Sequence, residues 1–281
     1  MANRKEETEE KRLEKELKRG LRYVEPFVTV LGAWPLGPES ASCLKILQRL
    51  IAPICIFLIS FTTWPGFYYV FFKEKDSKRK LQIMPPTINS MFQLSQYIVV
   101  LSKMKNIRMA LNDIRNDWFH TTEENRQFFR ENAKVGKKII SILAIIMYCG
   151  GIGFRIMLPL LKGRIVLPDN TTVRLLPSPI YLPFVNEQVT PYYEIIFVLL
   201  ALGGICNCTI LTSTTAIIMM ISLHLCGLIR ILREKMINLT EKSNINEVTI
   251  QRNMVTVIEH HTKIKTSGKI SMSLLWWCIS Y

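Results

Sequence analysis

Apolar residues gather in four long blocks separated by charged segments. Residues 50–72 carry no charge over 23 positions and residues 81–102 none over 22. Residues 139–161 hold one arginine in 23 positions, and residues 195–229 hold only His224 as an ionisable group in 35. A hydrocarbon core about 30 Å thick needs roughly 20 apolar residues in a helix. The blocks therefore predict four membrane spans within residues 50–229, making an all-α, polytopic transmembrane helical bundle. The fourth block is too long for one upright span at about 1.5 Å of rise per residue. It must either tilt and continue past the membrane or bend near Gly203 and Gly204.

The flanking segments read as helix too. In the arm, residues 1–49, Leu13, Leu17 and Leu21 repeat every four positions, and Glu14 precedes Lys18 in the favoured direction for a helical ion pair. This helix either lies along the inner leaflet or against another cytoplasmic helix, or is a solvated charged helix, and it is expected to end between Gly20 and Pro26. Beyond the blocks, residues 230–265 form a cytoplasmic helical segment with Met254, Val257, Ile258, His261 and Ile264 on one face. Residues 266–281 form a tail whose apolar run, 274–279, is too short to span.

Inside the blocks, particular residues refine the picture. Pro85 and Pro86 are expected in the first turn of the second span, where a missing N–H costs little. Asn89, Gln93 and Gln96 share a helical face that should turn toward other helices or a wet cavity. Gly150, Gly151 and Gly153 permit close approach to the third span, and Arg155 is expected to snorkel to the headgroups. Trp64, Tyr68 and Tyr69 suit an interfacial aromatic belt.

Charge sets an orientation. With the arm inside, 27 of the 36 Lys and Arg residues fall in cytoplasmic segments and 8 outside. Basic residues resist translocation, so the N-terminus is expected in the cytoplasm. Asn170-Thr171-Thr172 is then a glycosylation candidate in an outer loop.

The formal charge of +14 invites a nucleic-acid reading. The cations instead sit at span ends, with no aromatic-basic recognition module, so no nucleic-acid partner is expected. The seven cysteines include no CxxC pair, and His260-His261 has no acidic or thiol partner at ligand spacing, so neither a disulfide framework nor a metal site is expected. No HExxH, GxSxG, Walker A or GxGxxG motif appears, and the spans hold no paired carboxylates. Neither catalytic residues nor a cofactor are expected, and His224 is read as a packing or interfacial histidine. The first 22 residues carry no apolar stretch of the kind a cleavable leader needs.

Several short segments resemble insect odorant receptors, especially hymenopteran ones. They are the LGAWPL stretch at 31–36, TPYYEIIF at 190–197, HLCGLIRIL at 224–232, the Leu182-Pro183-Phe184 loop and the His260-His261 pair. Their order and spacing cover about residues 20–264. The resemblance implies seven spans with the N-terminus inside, four of them present here, and points to a chain truncated after the fourth. It implies an odorant-gated, non-selective cation channel: a hetero-tetramer with a shared co-receptor, in the plasma membrane of sensory neurons, surrounded by membrane lipid. A gustatory receptor of the same superfamily is the close variant. An unrelated transporter or scaffold is the more distant one, and the inverted repeats expected of a transporter are not visible.

The resemblance further implies that small volatile odorants bind in the outer half of the bundle. Such ligands need apolar and aromatic walls with a few hydroxyls or amides. With the N-terminus inside, the outer halves offer Met91, Phe92 and Ser95 on the second span. The third offers Tyr148, Gly151, Phe154 and Met157, and the fourth Phe197, Leu200 and Gly204.

Overall fold

Helix dominates because long apolar segments leave the backbone no partner but itself in lipid. The computed structural model describes residues 2–34, 42–166, 172–241, 262 and 265. The elements run α1 (Ala2–Leu21), α2 (Glu25–Val30), α3 (Ser42–Tyr68), α4 (Ser77–Ser102), α5 (Met104–His120), α6 (Glu123–Ile145), α7 (Gly153–Lys162) and α8 (Tyr192–Glu241). Two π-helical turns, Tyr69–Lys73 and Ile146–Ile152, continue α3 and link α6 to α7. A small antiparallel hairpin, β1 (Arg164–Val166) with β2 (Thr172–Arg174), pairs Ile165 with Val173.

Three helical stretches are long and apolar enough to cross a membrane, by length and composition: Ser42–Lys73, Glu123–Lys162 and Tyr192–Ile237. They contain the first, third and fourth predicted spans. The second falls in α4, which is 26 residues long. Its prolines and its polar side chains, among them Asn89, Gln93 and Gln96, keep it below the same apolar level. Pro85 and Pro86 lie inside α4, two turns after its start at Ser77, rather than in the first turn. The hydroxyls of Thr87 and Ser90 bond the carbonyls of Ile83 and Pro86 at 3.1 and 3.0 Å, reinforcing the helix around the prolines. α8 runs as one helix of 50 residues, uninterrupted at Gly203 and Gly204. Asn170, Pro35, Leu36, the His260-His261 pair and the stripe from Met254 to Ile264 lie outside the described residues.

The chain divides into two units. The first combines residues 1–26, 103–140 and 215–281. Here the leucine stripe of α1 finds helical partners: Leu17 is buried, and with Leu21 it faces Ile114, Trp118, Met220 and Leu223. α1 ends at Leu21, within the expected interval, and the Glu14–Lys18 pair forms at 3.1 Å. Gly136 admits the Tyr23 ring and Leu223, whose atoms lie 2.8 Å from where a Cβ would stand. Gly227 likewise admits Phe129, with Phe129 carbons 2.6 and 2.7 Å from a Cβ position.

The second unit combines residues 27–102 and 141–214. α3 and α4 pack side by side, and Gly203 of α8 seats against Thr62 and the Leu58 carbonyl of α3. On α4 the buried face runs Thr87, Ser90, Gln93, Tyr97 and Val100, so Gln93 turns inward while Asn89 is exposed. Asn207 of α8 donates to the Ser90 hydroxyl at 3.3 Å, and Tyr97 donates to the Leu31 carbonyl at 2.6 Å. Each of these bonds satisfies a polar group where no water competes.

Candidate ligand-binding site

Within the second unit, two of the candidate positions, Tyr148 and Gly151, meet α8 along one line, and Arg155 meets a third, Gly204 of α8. Tyr148 stands in the π-helical turn, and its hydroxyl lies 2.7 Å from Thr209 Oγ1 of α8. One turn on, Gly151 lies opposite Cys208, with Sγ 3.4 Å from a Cβ position. Another turn on, Arg155 of α7 reaches Gly204, where Nη1 would lie 3.7 Å from a Cβ. The Arg155 side chain thus runs beside α8 and is half-buried. The phenol of Tyr148 is also stacked on Phe27 at 6.4 Å between centroids. The wall thus combines one aromatic face, two hydroxyls, a thiol and a cation, set where glycines let the helices close.

The remaining candidates separate. Leu200 is buried in an apolar cluster with Ile180 and Ile196, flanked by Phe61, Leu176, Leu182 and Val185. Phe197 is half-buried and its ring meets Tyr193 at 5.9 Å. Met91 and Ser95 are half-buried on α4, where the Ser95 hydroxyl bonds the Phe92 carbonyl at 2.8 Å. Phe92 and Met157 are exposed on their helices at 39% and 53%. The side chain of Phe154 lies outside the described residues.

Residues 79–268 match the 7tm Odorant receptor family. The chain belongs to that family. Its fold is similar to the insect olfactory receptor OR5 from Machilis hrabei, solved in complex with eugenol, with a TM-score of 0.64, 17% identity and 94% of this chain covered. OR5 solved without that ligand gives a TM-score of 0.64, 18% identity and 92% coverage. The chain spans 66% and 65% of the length of those two receptor chains. None of the curated proteins matches it.

For an odorant receptor, the residues that sequence reasoning missed are informative. Thr209, Cys208 and Arg155 complete the wall that Tyr148 and Gly151 begin. Tyr148, Gly151 and Arg155 stand at the i, i+3 and i+7 spacing of one helical face, but their meeting with Thr209, Cys208 and Gly204 of α8 depends on packing between segments distant in sequence, which no local pattern encodes. Thr209 did carry a signal: it opens a hydroxyl-rich half of the fourth block, which sequence reading assigned to internal packing. Among the described residues no group of His, Cys, Asp and Glu is arranged to hold a metal.

Proposed function

We propose that this chain is the ligand-binding part of an odorant receptor subunit, which with a shared co-receptor forms a ligand-gated non-selective cation channel. The family match over residues 79–268 carries the reading. α4 is taken as the remaining span, with the N-terminus in the cytoplasm and the Tyr148–Thr209 wall in the outer half.

The wall suits a small, mostly apolar volatile that carries a hydroxyl, as does eugenol, the ligand of the similar OR5 structure. Burial of apolar ligand surface supplies roughly 25 cal/mol per Å². The Tyr148 hydroxyl donates to Thr209 Oγ1, which itself donates to the Ile205 carbonyl at 2.8 Å, so the pair offers acceptor lone pairs for orientation. Such a ligand replaces water poorly bound in an apolar site and makes few directional contacts.

The test is expression of the full receptor containing this chain together with the co-receptor, with currents recorded under a panel of volatiles. Odorant-evoked cation current that vanishes without this subunit supports the proposal. Normal surface delivery with no response to any volatile, while a known receptor responds in the same cells, rejects it.

A further inference from the structure

The first unit holds an open cleft of about 360 Å³ between α1, α5 and α6. Its wall carries four cations, Arg19, Arg130, Lys134 and Lys137, against one carboxylate, Glu16. That carboxylate is already engaged: Arg130 holds it at 2.7 Å and Arg12 at 3.5 Å. Arg130 also holds Glu123 at 2.7 Å. Arg19, Lys134 and Lys137 have no carboxylate partner among the described residues. Trp118 lines the same cleft, is 4% exposed, and its indole N–H has no acceptor. Three unneutralised cations around one cleft describe a site for an anion.

Position along α6 narrows the anion. The predicted hydrocarbon segment starts at residue 139, so Lys137 stands about 3 Å and Lys134 about 7 Å before it along the axis. The headgroup region extends roughly 5–8 Å beyond the hydrocarbon on each side. The two lysines therefore stand at headgroup depth. Arg130, about 13 Å before that start, lies beyond the depth of a simple headgroup. A ligand touching all of them is anchored in the leaflet and carries phosphate groups that project from it.

We infer that this cleft binds the phosphorylated headgroup of an inner-leaflet lipid, with Lys134, Lys137 and Arg19 as its donors. The assignment of leaflet rests on the cytoplasmic N-terminus proposed above, whereas the phosphate chemistry does not. Lysine and arginine near a membrane surface each favour anionic lipid by a similar increment, so removing two of them has a measurable effect.

The full chain, purified in detergent, is titrated with short-chain phosphatidylinositol bisphosphate, short-chain phosphatidylserine and soluble inositol trisphosphate. We expect the bisphosphate lipid to bind at least about tenfold tighter than phosphatidylserine, and Lys134→Gln with Lys137→Gln to weaken it by about tenfold or more. Lys75→Gln with Lys78→Gln, distant in sequence and outside the cleft, should leave binding within about twofold. Undiminished affinity for the soluble inositol trisphosphate would overturn the lipid assignment and leave a soluble phosphate as the ligand. Equal loss in both double variants, or none in Lys134→Gln with Lys137→Gln, would overturn the site itself.

Discussion

Asp117 and His224, 107 positions apart, meet with a carboxylate oxygen 3.0 Å from imidazole Nε2. Both side chains are about nine-tenths buried, at 10% and 9% exposure. The imidazole is also stacked on Phe129 at 4.8 Å, and Phe129 on Trp118 at 6.1 Å. The pair therefore ties α5 to α8 inside the first unit, with an aromatic lining around it.

Truncating either partner leaves the other buried without its bond, which costs about 1–3 kcal/mol. His224→Ala also loses the ring contact with Phe129, so it should destabilise more than Asp117→Asn, which keeps an acceptor. Thermal unfolding of the detergent-purified chain measures both. A melting temperature for His224→Ala equal to wild type would remove the pair from any structural role.

The glycine contacts give a sharper contrast. A methyl at Gly203 would strike Thr62 and stand 2.9 Å from the Leu58 carbonyl, which is backbone and cannot swing aside. Gly203→Ala should therefore cost about 1–3 kcal/mol and reduce the monodisperse yield. At Gly153 nothing lies within 4 Å of the same position. Gly153→Ala should be neutral or stabilising by up to about 1 kcal/mol, since alanine is the better helix former. Size-exclusion profiles of the two variants decide the matter, and matched profiles contradict the packing described.

Ligand tuning should follow the Tyr148 wall more closely than the exposed positions. Tyr148→Phe retains the ring on Phe27 and removes the hydroxyl, so responses to oxygen-bearing volatiles should weaken by about three- to tenfold, with smaller effects on hydrocarbons. Thr209→Val should act in the same direction. Phe92→Ala should leave half-maximal concentrations within about twofold, because scattered exposed apolar residues carry little of a site's energy. Dose–response curves in the full receptor with its co-receptor check all three, and a larger shift for Phe92→Ala would relocate the site.

One pH dependence follows from the first unit. Burial pushes the Tyr23 hydroxyl from its ordinary value of 10 up to about 12. The folded state thus holds this proton more tightly than the unfolded chain. Its contribution is complete below pH 10 and is lost as pH rises toward 12, by about 2–3 kcal/mol in total. Alkaline unfolding of Tyr23→Phe should be displaced to higher pH relative to wild type. Coincident curves for the two proteins would contradict the shift.

The spans on α3, α6–α7 and α8 were legible in the sequence because unbroken apolar length is a property of the chain alone. So was the α1 helix with its Glu14–Lys18 pair, which depends only on local spacing. Other features were not. Pro85 and Pro86 read as a helix start, whereas α4 begins at Ser77; the earlier turns are charged and gave no apolar signal. The union of Asp117 with His224 needs tertiary packing that no local pattern encodes. Asn89, Gln93 and Gln96 looked equivalent on one face, yet only Gln93 is fully buried, because one helical face is wider than the contact it makes.

The π-helical turn Ile146–Ile152 bears on how such receptors diversify. Each residue of an ordinary helix advances the chain by about 100° around its axis. Deleting a single codon within the wide turn would re-aim everything after it by that angle, carrying Arg155 off Gly204 while sparing the helices on either side. A gene could thereby exchange the side chains set against α8 by a change in length, with no substitution at any of these positions.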